Sequence, residues 1–98
     1  MFRGASEASE LKNGKPEIVL YTTEPCARCI KAKALLTSHG LAYEEVNLAK
    51  DPIGRRELAE RTGHLTFPQI VIGERILGGF IELEEADKNG QLAALAAA

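Results

Sequence analysis

Apolar and polar positions follow two different periods along this chain, and the changes between them mark its elements. Residues 17 to 22 carry four consecutive apolar positions, Ile18 to Tyr21, which predicts a central strand covered on both faces. From Cys26 the period lengthens: Cys29, Ala32, Leu35 and Leu36 share one face of a helix predicted to run to about His39. Gly40 can take the left-handed position beyond that helix, with Leu41 brought back against Leu36. Residues 43 to 48 read as a second strand, and the intervening helix makes the unit a right-handed parallel βαβ. Asp51 and Pro52 suit the N-cap and first position of a second helix, which reaches about Thr62 and is ended by Gly63. Residues 68 to 72 and 75 to 77 flank Gly73-Glu74, a pair suited to a type II′ hairpin turn between antiparallel strands. A last helix follows Gly78-Gly79, with Phe80, Leu83 and Ala86 in phase, and stops at Asn89-Gly90. Residues 91 to 98 could dock Leu92 and Leu95 or fray, and the pattern leaves both open.

Composition narrows this picture. Ninety-eight residues with 45% hydrophobic content support one core and hence one domain. Residues 1 to 16 are rich in Ser, Glu, Lys and Gly and are expected to form a flexible N-terminal extension, leaving 17 to 98 as the folded unit. No apolar run approaches the length of a membrane span and residues 1 to 7 lack a hydrophobic targeting core, so a protein made without export is expected, with no membrane partner. A net charge of -2 and the lack of a Lys/Arg-rich run argue against nucleic acid. Both cysteines lie in a single C-x-x-C, which fits a reducing cytoplasm where a disulfide is transient and catalytic. A monomer is the expected state.

That motif, Pro25-Cys26-Ala27-Arg28-Cys29, sits where the first strand gives way to the first helix. Unpaired amides and the positive end of the helix dipole favour a thiolate there, which makes Cys26 the candidate nucleophile and Cys29, one turn further in, the resolving thiol. Three plainer readings compete. A zinc site needs four ligands, and His39 and His64 stand alone rather than at finger or ribbon spacing, so no metal site is expected. A structural disulfide closing so short a loop removes little entropy from the unfolded chain. Two inert buried thiols leave unexplained why both fall at a helix start. Redox chemistry is favoured, and the order βαβαββα with a proline opening the third strand predicts an α/β thioredoxin fold, a four-stranded mixed sheet with helices on both faces.

Three stretches resemble the glutaredoxin family over about residues 17 to 95. They are Tyr21-Thr22-Thr23-Glu24-Pro25-Cys26-Ala27-Arg28-Cys29 with the following Lys31 to Leu36, then Thr62-Gly63-His64-Leu65-Thr66-Phe67-Pro68-Gln69-Ile70, and Gly78-Gly79-Phe80-Ile81-Glu82-Leu83. The resemblance implies a cis peptide before Pro68, with the Phe67 backbone facing the sulfurs and pairing with the cysteinyl part of glutathione, and Thr66 as its support. It implies that Gly79 and the amides of Phe80 and Ile81 receive the γ-glutamyl carboxylate, a role that a helix N-terminus suits. Glu82 stands where the family usually has an Asp that accepts from the ligand's ammonium. Arg55, with Arg56 and Arg61 as alternatives, corresponds to the residue directed at the glycyl carboxylate.

Departures from the family pattern carry information too. Thr23 replaces the usual Lys three residues before the nucleophile and Glu24 follows it, so a less stabilised thiolate is expected than in a typical member. Ala27-Arg28 replaces the common Pro-aromatic pair, and Arg28 adds a cation that could favour the thiolate or meet a glycyl carboxylate. The resemblance thus implies a glutathione-dependent thiol-disulfide oxidoreductase, with glutathione as co-substrate and disulfide-containing or glutathionylated proteins as partners. Two alternatives stand beside it: a redoxin reduced by thioredoxin reductase, because a Gly-Phe pair also marks those proteins, and a dimer holding a [2Fe-2S] cluster through Cys26 and two glutathiones.

Overall fold

The computed structural model describes residues 11–12 and 15–97. Most of the segment read as an N-terminal extension therefore lies outside the described residues. Within it, β1 (Leu11–Lys12) and β2 (Lys15–Pro16) pair as a short antiparallel ribbon, where the sequence pattern placed no strand.

The main sheet has four strands, β3 (Ile18–Thr22), β4 (Glu44–Asn47), β5 (Gln69–Ile72) and β6 (Arg75–Gly78), in the order β4-β3-β5-β6. β3 is parallel to β4 and antiparallel to β5, and β5 is antiparallel to β6, so the sheet is mixed as expected. The two-residue connection at Gly73-Glu74 has φ +61° at Gly73, the left-handed value that a primed hairpin turn needs at its first central residue. Beyond the turn the register shifts between Ile70 and Val71, because Val71 faces Ile76 while Ile70 faces Gly78 and Leu77 is the extra residue. That bulge delivers the chain from β6 into the last helices.

Helices cover both faces. α1 (Ala27–Ser38), α3 (Phe80–Lys88) and α4 (Gln91–Ala97) lie on one side, and α2 (Pro52–Thr62) on the other. Because strand side chains alternate, Ile18 and Leu20 of β3 and Ile70 and Ile72 of β5 pack with Ala32, Leu36, Leu83, Ala86 and Leu92 in the larger core. Tyr21 and Val71 point the other way and pack with Leu48 and Leu58 under α2. β3 is thus the central buried strand that its continuous apolar run implied.

The helix ends follow local chemistry. Asp51 accepts from the Gly54 amide at 2.8 Å as N-cap of α2, Pro52 takes the first position, and Gly63 at φ +77° ends it. At the end of α1, Gly40 donates to Thr37 at 2.9 Å and Leu41 to Leu36 at 3.1 Å, the paired bonds of a Schellman motif, with both leucines in the core. The C-terminal segment docks: Leu92 is fully buried, and Leu95 and Ala96 pack against the same cluster. Leu92→Ala is expected to destabilise the protein by about 2 to 5 kcal/mol, the usual range for emptying a buried leucine site. Thermal unfolding measures it, and a change within the ±0.5 kcal/mol typical of surface substitutions would mean that α4 adds nothing to the core.

Candidate active site

Cys26 ends the turn between β3 and α1, at the carboxyl end of the central strand. It is the N-cap of α1, and its Sγ accepts from the Cys29 amide at 3.1 Å. One of the helix's unpaired first-turn donors is therefore aimed at this sulfur. Cys26 and Cys29 form a disulfide with their Cα atoms 5.2 Å apart. Cys29 is buried at 2% exposure, whereas Cys26 is half-buried, which matches the expected division into an accessible and an inner thiol.

A second backbone segment meets the pair. The Phe67-Pro68 peptide is cis, as the resemblance implied, and so is Glu24-Pro25, which was not anticipated. The Phe67 carbonyl oxygen lies 3.8 Å from Cys26 Sγ. Its loop is braced from within, since Gln69 Nε2 donates to the carbonyls of Thr66 at 2.9 Å and His64 at 3.1 Å. Thr66 supports the turn through that carbonyl, while its side chain is exposed.

The third segment is the start of α3. Gly79 is its N-cap, close enough to the loop that a Cβ there would sit 3.5 Å from the Pro68 carbonyl. Gly78 has φ +127°, and the Glu82 side chain folds so closely over it that a Cβ would meet Glu82 Cγ at 2.8 Å. Glu82 Oε1 accepts from the Gly79 amide at 2.8 Å, so this carboxylate completes half of a capping box. The amides of Phe80 and Ile81 open the helix and have no intrahelical acceptor. Of the glutathione-site candidates, Phe67 is thus brought to Cys26 beside Pro68, and Gly79, at the start of the helix that carries Phe80, Ile81 and Glu82, lies against the Pro68 carbonyl.

Charged residues are placed less simply. Arg28 is exposed on the first turn of α1. Arg55 directs Nη1 at the carbonyls of Leu48 at 2.6 Å and Ala49 at 2.9 Å, closing the β4–α2 connection. It lines a cleft of about 250 Å3 with Arg56, Ala59, His64, Leu65, Phe67 and Gln69. Gln69 contributes a buried Oε1 with no partner among the described residues. Glu24 accepts from Asn47 Nδ2 at 2.9 Å, which ties the turn before Cys26 to β4. His39 pairs with Asp87 at 2.8 Å, joining the end of α1 to α3.

Sequence reasoning missed one further cluster. Thr22, 1% exposed at the end of β3, donates to Glu45 Oε2 at 2.8 Å, and Lys33 of α1 reaches the same carboxylate at 3.2 and 3.3 Å. No sequence signal pointed to it: the β3–β4 register, which sets Glu45 beside Leu20, is what turns Glu45 to the face that α1 covers.

A helix-capping cysteine, its buried partner and a cis-proline loop on a mixed four-stranded sheet define a thiol-disulfide oxidoreductase of the thioredoxin fold. Comparison with known proteins narrows the class. The glutaredoxin family model matches residues 18–77. A glutaredoxin of Pseudomonas aeruginosa is 42% identical over 83 residues, covering 85% of this chain and 99% of that protein. Glutaredoxin 3 of Escherichia coli K12 is 37% identical over 75 residues, covering 76% and 90%. The solution structure of a Brucella melitensis glutaredoxin superposes with a TM-score of 0.74 at 36% identity, covering 84% of this chain and 89% of that one. The chain belongs to the glutaredoxin family.

Glu45 sets a pH dependence. The Thr22 hydroxyl holds its carboxyl below the ordinary 4.5, partial burial opposes this, and Lys33 adds to the lowering. A carboxylate lowered in the folded state contributes stability that is full above about 4.5 and is lost as pH falls through the folded value. The stability difference between wild type and Glu45→Gln should therefore be constant near neutrality and shrink in that acid window. Denaturant unfolding at stepped pH measures it, and a difference that grows on acidification contradicts the assignment.

Proposed function

We propose that the protein is a glutathione-dependent oxidoreductase in which Cys26 is the nucleophile and Cys29 the resolving thiol. The observation that carries this reading is the meeting of Cys26 Sγ with the Phe67 backbone beside cis-Pro68, next to the opening amides of α3. An extended peptide can add to the Phe67 backbone as a short strand, which sets its cysteinyl sulfur against Cys26. The first-turn amides of Phe80 and Ile81 suit the γ-glutamyl carboxylate. Glu82 keeps one oxygen for the ligand's ammonium while the other caps Gly79. Arg55, oriented by the Leu48 and Ala49 carbonyls, retains N–H donors for the glycyl carboxylate, and Arg28 lies on the first turn of the same helix as the cysteines.

The chemistry balances without any resident cofactor. The Cys26 thiolate attacks the glutathionyl sulfur of a mixed disulfide, the protein thiolate leaves, and a Cys26–glutathione disulfide forms. A second glutathione thiolate attacks that bond, giving glutathione disulfide and restoring the Cys26 thiolate. With a protein disulfide, Cys26 forms a mixed disulfide, Cys29 displaces the substrate thiol, and the resulting Cys26–Cys29 bond is reduced by two glutathiones in turn. No helix of the described residues is long and apolar enough to cross a membrane, and a lone reactive C-x-x-C supports work in a reducing compartment such as the cytoplasm, on disulfide-containing or glutathionylated proteins. A single chain supplies every group named, which supports a monomer. No feature of the site favours the reductase-coupled redoxin or the cluster-holding dimer over this reading. Every group named lies within residues 17 to 98, which supports that span as the working domain.

Cys29→Ser is expected to keep deglutathionylation of a small mixed disulfide and to lose most protein-disulfide reduction, whereas Cys26→Ser loses both. Activity in Cys26→Ser with none in Cys29→Ser would reverse the two roles. Glu82→Ala and Arg55→Ala should each raise the KM for a glutathionylated substrate about three- to tenfold, a partly screened share of a charge-assisted hydrogen bond. Alkylation of Cys26 by a neutral reagent should change little in either variant. If neither substitution alters KM in a folded protein, these residues do not recognise glutathione, and parallel turnover with thioredoxin reductase becomes the deciding assay.

A further inference from the structure

We propose that Glu45 is a positioning residue for the redox pair, acting through Thr22 and Lys33 to neutralise a cation on the cysteine-bearing helix and so to set the reactivity of Cys26. The inference rests on Cys26 being the nucleophile. Three elements converge on this one carboxylate. Thr22 closes β3 four residues before Cys26, Lys33 lies on α1 four residues after Cys29, and Glu45 on the edge strand β4 binds both. The turn of residues 23 to 26, which places Cys26, is thus spanned from outside by a bridge between the strand it leaves and the helix it enters.

Charge gives this bridge a consequence beyond bracing. Cys29 and Lys33 are spaced i, i+4 and share a helix face, and helical side chains lean toward the N-terminus, which here is the cysteine end. Seven residues at 1.5 Å each put Lys33 about 10 Å along the axis from Cys26, within reach of a weakly screened interaction at low salt. With Glu45 ionised, the lysine and carboxylate nearly cancel at that distance. Removal of Glu45 would leave Lys33 as a free cation that favours the thiolate, and removal of Lys33 would leave a free anion that disfavours it. Other charges on the elements around the pair, Arg28 and Lys31 on α1, Glu24 held by Asn47 on the turn, and Glu82 capping α3, form a background that neither substitution touches.

The opposite signs separate this proposal from a purely structural role. In a Cys29→Ser background at pH 6 and low ionic strength, with a neutral alkylating reagent, Glu45→Gln should react about two- to threefold faster. Lys33→Met should react slower by a similar factor, and the double variant should return close to the parent rate. Molar salt should shrink both effects. Gln can still accept from Thr22, so that contact is retained, and unfolding midpoints show that each variant is folded at the assay temperature. If both single variants change the rate in the same direction, or neither changes it, the lost bridge matters only for structure and the proposal fails. Mass mapping of the alkylated residue in the protein with both cysteines tests the underlying assignment separately: modification at Cys29 overturns Cys26 as nucleophile, whereas modification at Cys26 with no opposed rate changes overturns only the role of Glu45.

Discussion

The working structure depends on keeping one sulfur at the end of a helix and against a turn that comes from elsewhere in the chain. Cys26 caps α1 by accepting from the Cys29 amide, and the Phe67 carbonyl approaches the same atom from forty-one residues later. Neither segment holds itself there. The parallel pairing of β3 with β4 fixes where α1 begins, and the antiparallel pairing of β3 with β5 fixes where the Pro68 loop arrives. Because both pairings use the same buried strand, a slip in either register would carry Leu20 or Ile70 out of the larger core. The apolar interior therefore enforces the position of the polar site.

Most of this frame was legible because it is written in local terms. Asp51-Pro52, Gly63, Gly73 and the Gly40-Leu41 pair act through their own backbone geometry, and each element boundary they implied fell within a residue or so of where it was expected. The cysteine pair and Pro68 were readable for a related reason: few chemistries need these residue types at this order and spacing. What stayed hidden was tertiary. Nothing in Glu45 or Asn47 taken alone says that one will hold Thr22 and Lys33 and the other Glu24. Those contacts follow only after the β3–β4 register places the edge strand beside the active-site turn. The docking of Leu92 was hidden likewise, since an alanine-rich tail has the same pattern whether or not a core lies beneath it.

Two side chains proposed to meet glutathione already have tasks within the chain, which sequence reasoning treats badly. Arg55 binds two carbonyls of its own chain and Glu82 caps its own helix, so each is structural before it is available to a ligand. Such double use has a physical benefit. A guanidinium already oriented by Leu48 and Ala49, or a carboxylate already folded onto Gly79, loses less freedom when it meets a charged partner than a solvated surface group does.

This division of labour also explains how the chain can depart from the family pattern beside its nucleophile and still present the same architecture. The polar groups that meet Cys26 Sγ are backbone: the Cys29 amide and the Phe67 carbonyl. Backbone groups tolerate any side chain that permits their conformation, so Ala27-Arg28 and Thr23 can stand where other residues are usual without moving the sulfur. The constraint then falls on the conformation itself. It is strict at Gly78, where φ is +127° and Glu82 fills the space a Cβ would need, and at Pro68, whose missing N–H leaves no donor competing with the Phe67 edge. What varies freely around such a site is charge, and charge tunes a thiolate without changing where it is held.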